Sequence, residues 1–329
     1  MIAYIRDRHT FRLKHHAAAL SYDMTLQSIY DEVSDFTIKG DESSAQAGDF
    51  FFAGGFYGIV KEADRERETL NITCNDIGTL FSRDIPDSPQ TVSGSIEGYI
   101  KSAIEKYYVN LSDAVYATPY LKVTAQTSTV GNALPDVEDG MWNIKSYLSK
   151  VRRLYNIHTS YSVVNGKLVM RIFHRDRQNH KVFLNLSDFE VLEESFAHDA
   201  IGKITTIAED TGEKKDWYLL TDGTITNTYT SENRVDGTWE TVKVGEAADA
   251  ADEVRSKFRE NSDSHLIEFA CNREYGFYDD LTIRTKNGRT LTSYISAVRK
   301  NNTQSKTIYK SGELRIMLDE KLNIRFGGK

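Results

Sequence analysis

The feature that most constrains the fold of this chain is a stretch over residues 48–76 in which three apolar runs are separated by short turns. It reads GDFFFAGGFYGIVKEADRERETLNITCND. Its glycines, Gly54, Gly55 and Gly58, match neither of the spacings with which nucleotide-binding loops direct backbone N–H groups at a phosphate. They suit hairpin and bulge positions, which need a positive φ or a close backbone approach. We therefore expect a β-meander, with the charged segment ADRERE from Ala63 as its second turn.

Length and composition favour a β-rich protein of several domains. The chain has 329 residues, which exceeds the size of a typical single core, so two to four domains are expected. It contains 18 tyrosines and 15 phenylalanines but 4 prolines, a balance that suits strands. Cys74 and Cys271 are its two cysteines and lie far apart. A disulfide scaffold is therefore not expected, and a reducing compartment fits.

The net charge argues against specific nucleic-acid binding, and the hydropathy argues against membrane insertion. The formal net charge is −7, whereas phosphate binding needs clustered lysine and arginine, so no specific nucleic-acid binding is expected. The first sixteen residues, MIAYIRDRHTFRLKHH, contain no apolar core of a secretory signal. No apolar run approaches the ~20 residues that span a bilayer. We expect no membrane partner.

Helical periodicity appears in two segments between residues 93 and 185. The first, SGSIEGYIKSAIEKYYVNL, repeats isoleucine at helical spacing, with Ser93 or Ser95 as the N-cap. The second, MWNIKSYLSKVRRLYNI, places Trp142 and four aliphatic residues on one side. A hairpin with an Asn165–Gly166 turn follows. These residues predict an α/β unit.

Strand-like sequence returns after Phe189 and is interrupted once. The interruption is an alanine-rich helical segment, GEAADAADEVRSKFREN, within residues 245–261. A second Asn-Gly hairpin is expected at Asn287–Gly288. The order of turns and strands in this last part is similar to that of the opening meander, which suggests two related β-barrels in one chain.

Two short motifs have catalytic counterparts in other proteins. HRD at residues 174–176 matches part of a kinase catalytic loop, but that loop needs an asparagine five residues after the aspartate, and Lys181 stands there. YDD at residues 278–280 matches a polymerase metal turn, which needs a third carboxylate and a nucleotide pocket. Asp279 and Asp280 are equally explained as a turn that opens a strand. We expect no catalysis at either motif.

None of the remaining candidate residues is expected to be catalytic, to bind a metal or to hold a cofactor. His15 and His16 are adjacent, so in a strand they point to opposite faces, and His174 and His180 have no cysteine partner nearby. There is no G-x-S-x-G serine motif. The basic residues of the segment 145–181 predict a solvated face or a contact for an acidic neighbouring subunit. They include Arg152, Arg153, Arg171, Arg175 and Arg177. The chain is not expected to be an enzyme.

Taken in order, the meander, the α/β unit and the closing strands resemble the baseplate-hub (tail-associated) family of tailed phages and phage-tail-like particles. The specific pieces are GDFFFAGGFYGIV followed by the acidic ND, and YDDLTIRT followed by YISAV. The resemblance implies a mixed, β-rich fold with two tube-like β-barrel domains and an inserted α/β domain. The implied domains are a first barrel over 1–92, the α/β middle domain over 93–185, a second barrel over 186–225 with 265–329, and an insert over 226–264. The alanine-rich helix of that insert would pack on the middle domain.

The resemblance also implies a function and a set of partners. Such a protein forms a homotrimeric ring that joins the sixfold tail tube to a threefold spike or fibre and lines the DNA exit channel. The implied partners are the tail tube or distal tail protein and the spike or tail fibre protein, with the tape-measure protein as a further candidate. DNA would pass through without being bound, which suits the acidic balance. The protein would be made in the host bacterial cytoplasm and reside in the virion tail tip or in a phage-tail-like particle.

A carbohydrate-active protein is the alternative that the residues leave open. A glycan-binding β-module, or a glycosidase that uses carboxylates, needs exposed aromatic side chains gathered on one face. Trp142, Trp217 and Trp239 lie in three different segments, and Trp142 falls on the apolar side of its helix. This distribution favours the structural hub.

Overall fold

A computed structural model of the protein describes most of the chain. The described residues are 1–27, 33–92, 94–131, 133–137, 140–175, 181–196, 201–220, 224–229, 234, 238–262, 265–276, 279–284, 286 and 290–312. The predicted Asn287–Gly288 turn lies outside them.

Strands make up most of the regular structure. In chain order they are Ile2–Arg6 (β1), Leu13–Gln27 (β2), Ser34–Lys39 (β3), Phe50–Ala53 (β4), Phe56–Glu66 (β5), Thr69–Asp76 (β6), Leu121–Ala125 (β7), Ile157–Val164 (β8), Lys167–His174 (β9), Lys181–Asn185 (β10), Glu190–Phe196 (β11), Ile201–Ala208 (β12), Lys214–Leu219 (β13), Ile225–Thr226 (β14), Thr238–Val244 (β15), His265–Cys271 (β16), Asp280–Arg284 (β17), Thr290–Asn301 (β18) and Thr307–Ser311 (β19). The α-helices are Ile96–Ile104 (α1), Ile144–Tyr155 (α2) and Ala250–Ser262 (α3). A π-helical turn, Glu105–Val109, extends α1, and short 3₁₀ turns cover Ile77–Phe81, Leu186–Asp188 and Ala247–Asp249.

The first six strands form a closed barrel. They pair in the order β1-β4-β5-β6-β3-β2, and β1 also pairs with β2, so the sheet has no free edge between them. Their pairings are antiparallel. Closure removes the exposed edge strands that would otherwise promote aggregation.

The barrel interior is filled with apolar side chains. Phe51 lies there against Phe36, with ring centroids 4.3 Å apart, and Ile5 and Leu70 are fully buried beside them. Interior residues alternate with outward ones along each strand, as expected for a small barrel. The described strands of this barrel therefore enclose a packed apolar core.

The meander predicted for residues 48–76 is confirmed as β4, β5 and β6, with one correction. Gly54 and Gly55 form the first turn with φ of 55° and 90°. The second turn lies at Arg67, with φ 57°, because β5 continues through the charged segment as far as Glu66. The first four residues of ADRERE, from Ala63 to Glu66, were wrongly assigned to the turn, and its last two, Arg67 and Glu68, form the turn. The charges of the first four sit on a strand that is exposed there, so they are compatible with extended backbone.

The helices and the hairpin predicted after residue 93 are confirmed. Ser95 caps α1 by accepting a hydrogen bond from the backbone N–H of Gly98 at 3.0 Å. Helix α2 begins at Ile144, so Trp142 precedes the helix, although it is buried as expected. The Asn165–Gly166 turn joins β8 to β9, and a three-stranded sheet in the order β7-β9-β8 results.

Both faces of β4 are buried because the α/β elements cover the outside of the barrel. Phe52 points away from the barrel interior and lies 5.9 Å from the ring of Phe11. Phe11 stacks on Tyr120 at 4.9 Å, and the hydroxyl of Tyr120 donates to the carbonyl of Arg8 at 2.8 Å. Phe52 and Ile59 therefore join the barrel to the α/β elements and do not fill the barrel.

A second set of six strands repeats the strand order of the barrel. These strands pair in the order β10-β17-β18-β19-β16-β11. If each strand is numbered within its own set, this is again first-fourth-fifth-sixth-third-second, the order of β1-β4-β5-β6-β3-β2. The sets differ in what connects their second and third strands: residues 28–33 in the first, and residues 197–264 in the second. The prediction of a mixed, β-rich fold is confirmed, whereas the arrangement of two barrels with an inserted α/β domain stays a prediction.

The long connection in the second set contains a four-stranded sheet and helix α3. The sheet has the order β14-β13-β12-β15, with β12 and β15 parallel. One face is covered by α3, whose Val254 and Phe258 pack on Ile204 and Leu219. The predicted alanine-rich helix is confirmed, while its packing on residues 93–185 stays a prediction.

The chain divides into two compact units. One comprises Met1–Val182, Ala270–Asp280 and Ile295–Tyr309, and the other comprises Phe183–Phe269, Leu281–Tyr294 and Lys310–Lys329. The domain boundaries expected from the sequence are not tested by this division and stay a prediction. Cys74 and Cys271 are both free thiols in the folded chain, and burial raises the pKa of Cys74.

Candidate functional site

The two motifs with catalytic counterparts meet in one ion pair. Arg175 of HRD donates through Nη1 to Oδ1 of Asp280 of YDD, and both side chains are partly buried. Arg175 is also held by its backbone N–H, which donates to the carbonyl of Asn156 at 3.0 Å. Asp176 and Tyr278 lie outside the described residues. The pair joins segments that are 105 residues apart and needs no substrate to explain it.

The neighbouring aspartate stabilises a turn. The carboxylate of Asp279 accepts from the backbone N–H of Gly276 at 2.7 Å, and its backbone N–H donates to the carbonyl of Gly276 at 3.0 Å. Its carbonyl accepts from Ile295 at 3.0 Å. Within the described ranges, no three histidine, cysteine or acidic side chains come together as a metal site would require. The turn interpretation of Asp279 therefore has a direct structural basis.

The histidines and arginines named from the sequence are placed separately. His15 lies 2.8 Å from the carbonyl of Lys39, while His16 stacks on Tyr4. His174 is at the end of β9, and His180 lies outside the described residues. Sequence reasoning missed His158, which is buried with its Nε2 2.9 Å from Asn156 Oδ1.

The interpretation of the basic segment as a solvated face is wrong for Arg152. Its side chain is buried in the α/β core, because its helix turns this position inward beside Val151. Arg171 donates to the side chain of Gln126. The side chain of Arg153 and all of Arg177 lie outside the described part.

A buried carboxylate ties α1 to the segment that follows β7. Glu97 accepts from Thr127 Oγ1 at 2.5 Å, from Thr129 Oγ1 at 2.6 Å and from the Thr129 backbone N–H at 2.8 Å. Burial by itself raises the pKa of Glu97, but these three hydrogen bonds outweigh it and hold the pKa below its usual value. These hydrogen bonds give Glu97 a structural role, because they hold the segment after β7 against α1.

An apolar groove of about 320 Å³ lies on the outside of the barrel. Ile2 and Tyr4 project outward from β1 and are exposed, and the groove continues past Phe52, Tyr57 and the Gly54–Gly55 turn. Exposed apolar surface of this kind marks contact sites more often than isolated exposed residues do. The groove is a candidate contact for another polypeptide.

A second candidate is the face of the four-stranded sheet that points away from α3, which we call the aromatic–cation face. Its side chains alternate between rings and cations: Lys203 Nζ lies 3.9 Å from the ring centroid of Trp239 and 5.7 Å from that of Tyr218. The Arg234 guanidinium lies 5.1 Å from Tyr218 and 4.7 Å from Tyr229. The face is defined by these five residues.

Trp217 lies on the opposite face of the same sheet. It pairs in register with Ile204, packs toward α3 and donates through Nε1 to Thr206 at 3.1 Å. The three tryptophans are therefore not gathered on one face. Sequence spacing gave no signal for the aromatic–cation face, because strand pairing brings its members together: β15 places Trp239 beside Lys203, and β13 places Tyr218 beside Lys203.

Within the described residues, no helix combines the length and apolarity needed to cross a bilayer. No protein-family model and no curated protein sequence matches this chain.

Solved structures of phage tail proteins are similar to it over nearly their whole length. The prophage tail protein gp18 of Listeria monocytogenes EGD-e aligns with a TM-score of 0.60 at 12% identity, covering 99% of this chain and 98% of gp18. The 43 kDa tail protein of prophage MuSo2 from Shewanella oneidensis gives 0.57 at 14% identity, with 96% and 98% covered. A tail protein from Neisseria meningitidis MC58 gives 0.53 at 11% identity, with 97% and 98% covered. The chain therefore has the fold of phage tail proteins.

Proposed function

We propose that the protein is a structural, non-enzymatic hub of a phage tail tip or baseplate, or of a phage-tail-like particle. Three copies form a ring that joins the sixfold tail tube to a threefold spike or fibre. The observation that carries the proposal is the repeated strand order of the two six-stranded sets. Two similar sets in each of three subunits give six similar units around one axis, which is what an adaptor between sixfold and threefold structures requires.

The packed interior of the first barrel supports a channel between subunits and not through a barrel. Phe51 and Phe36 fill the space along the barrel axis, so no DNA could pass there. A DNA path would lie at the centre of the ring, surrounded by subunits. The net charge of −7 favours a surface that repels DNA and lets it slide.

The apolar groove on the outside of the barrel is the surface that we assign to a subunit contact. Ile2 and Tyr4 present apolar area that a monomer would leave in water. The partners proposed beyond the homotrimer are the tail tube or distal tail protein, the spike or tail fibre, and the tape-measure protein. The virion tail tip is the proposed location.

Native mass measurement with negative-stain imaging of the purified chain tests the proposal. We expect a mass of three subunits at high concentration and a threefold ring with a central hole. A chain that stays monomeric over the whole accessible concentration range would contradict a self-assembling ring.

Variants of the groove make the test specific. We expect Tyr4→Asp to give a folded monomer, because the side chain is exposed in the monomer and the new charge opposes burial at a contact. Tyr116→Asp is the matched control, since Tyr116 is an exposed tyrosine away from the groove. Both variants must keep the unfolding midpoint of the wild type. Trimers of the Tyr4 variant would remove the groove from the proposed contact.

A further inference from the structure

We propose that the aromatic–cation face binds an anionic polysaccharide, with the indole of Trp239 as the platform for a sugar ring and Lys203 and Arg234 as the partners of its acidic groups. This binding site goes beyond the structural role proposed above and does not depend on it.

The rings at the two ends of this face are the exposed ones. Trp239 is 65% exposed and Tyr229 is 67% exposed, whereas Tyr218 between them is buried. The other face of the sheet is covered by α3 through Val254 and Phe258. Large aromatic rings left in water on an otherwise packed sheet mark a surface that gains free energy when a ligand covers them.

Hydrogen bonds hold the platform in place before any ligand arrives. Trp239 Nε1 donates to Thr205 Oγ1 at 2.8 Å, and Thr205 Oγ1 donates to Asp216 Oδ1 at 2.5 Å. Asp216 in turn pairs with Lys203 at 2.8 Å. The polar N–H of the indole is therefore satisfied inside the protein, so Trp239 offers apolar ring surface to a ligand. A side chain fixed in this way loses little conformational entropy on binding.

The charge of the face selects an anionic ligand. Strand register puts Lys214 and Lys243 on the same side as Lys203, and Arg234 lies over the buried ring there. Among the described strand residues, Asp216 is the one carboxylate that register places on this side, and Glu209, directly after β12, lies 3.9 Å from Lys243, so four cations face two carboxylates. The face is thus locally cationic in a chain whose net charge is −7. Lysine and arginine at such a site pair with carboxylate or phosphate groups.

The composition of the face favours a sugar over a protein. Between residues 201 and 244, the exposed large hydrophobic side chains in the described part are Tyr229 and Trp239, and neither is aliphatic. Thr226 and Thr241 lie on the same side by register and supply hydroxyls. The core of a protein interface is depleted of lysine, whereas this face carries Lys203, Lys214 and Lys243. A sugar ring has an apolar C–H face for an indole and hydroxyls for threonine.

The same geometry disfavours a nucleic-acid strand. Strand binding stacks successive bases on open rings along a positive groove. Tyr218 is buried, and Arg234 lies over the rings of both Tyr218 and Tyr229. Lys203 lies over one face of the Trp239 ring, so the remaining exposed surface of that ring is the one main platform, which suits one sugar ring flanked by cations.

Binding assays on the full chain test the proposal. Isothermal titration would be performed with polygalacturonate as the anionic polysaccharide, dextran as the neutral one and poly(dT) as the nucleic acid. We expect polygalacturonate to bind at least ~10-fold more tightly than dextran or poly(dT), and binding to weaken as salt rises because charge pairing contributes.

Substitutions on the face identify the residues responsible. Trp239→Ala is expected to weaken polygalacturonate binding by about 10-fold or more, whereas Trp239→Phe keeps a ring and most of the affinity. The double variant Lys203→Gln with Arg234→Gln should lose the preference over dextran. Tyr116→Ala is the matched control, since it removes a ring that is 63% exposed elsewhere.

Each contrary result overturns the proposal in a distinct way. It fails if polygalacturonate does not bind the wild type, if poly(dT) binds more tightly, or if Trp239→Ala binds as Tyr116→Ala does. If Trp239→Ala does not fold, the polygalacturonate affinities of Trp239→Phe and of the double variant test the proposal instead. The native mass of the Trp239 variants is expected to equal that of the wild type, so failure of this site leaves the hub proposal standing.

Discussion

Arg175 and Asp280 form an ion pair that connects the end of strand β9 to the start of strand β17. In the sequence these residues belong to the two motifs that have catalytic counterparts. In the folded chain each neutralises the other in a partly buried setting. The charges of both residues therefore contribute to the stability of the fold.

Asp280→Ala should destabilise the protein without affecting any site chemistry. Removing the carboxylate leaves the guanidinium of Arg175 without this partner in a partly buried position, which we expect to lower the free energy of unfolding by about 1–3 kcal/mol. Urea unfolding measures the change. The control is Glu42→Ala, because Glu42 pairs with Arg65 at 3.7 Å in an exposed setting, and such pairs contribute roughly 0–1 kcal/mol. Equal effects of the two substitutions would refute the structural role of the Arg175 pair.

Glu97 should make the α/β part sensitive to acid. Its pKa in the folded chain is below the usual 4.5, so its stabilising contribution is present above that pH and is lost as pH falls through the folded pKa. We expect Glu97→Gln to lose about 1–3 kcal/mol of unfolding free energy at pH 7, because the amide cannot accept all three bonds with the same strength. The gap between variant and wild type should narrow as pH falls below 4.5. A gap that is constant with pH would show that the charge of Glu97 is not involved.

Phe51 should dominate the stability of the barrel. Phe51→Ala opens a cavity in a core that has little room to collapse, with an expected loss of about 3–5 kcal/mol. Phe183→Ala is the matched control, since Phe183 is 63% exposed and its truncation leaves no cavity. Thermal unfolding compares them. Similar melting temperatures for the two variants would contradict a packed barrel interior.

Gly58 should be intolerant of even one added carbon. A Cβ there would lie 2.6 Å from the backbone oxygen of Asn75 and 2.5 Å from the ring of Phe56, although Gly58 has no positive φ. We expect Gly58→Ala to cost roughly 1–3 kcal/mol from overpacking. Gly245→Ala provides the comparison, because a Cβ at Gly245 meets nothing within 4 Å. Chemical denaturation of both variants separates steric conflict from the general effect of replacing a glycine.

Local sequence signals predicted the local structure well. The Asn165–Gly166 turn, the Ser95 cap and the glycine hairpin at Gly54–Gly55 each follow from chemistry that acts over a few residues. The turn predicted from Ala63 begins only at Arg67, and it was drawn too wide because charge was taken as evidence of a turn. Charged residues are tolerated along the exposed part of a strand, where they protect it from pairing with other chains.

Relationships between distant residues were beyond sequence reasoning. The pair of Arg175 with Asp280 and the stacking of Lys203 on Trp239 depend on which strands become neighbours. Register then decides the face on which each side chain lies. Spacing alone therefore located the tryptophans in the sequence but could not tell that Trp239 is open and that Trp217 packs under α3.

The long connection between β11 and β16 has an evolutionary consequence. These two strands are neighbours in the sheet, as β2 and β3 are in the first set, where residues 28–33 alone join them. The four-stranded sheet and α3 thus occupy the position of a hairpin loop. A segment inserted at such a point can change in length or composition while the strand order on both sides stays the same. If the proposals above hold, subunit assembly and polysaccharide binding depend on separate parts of one chain.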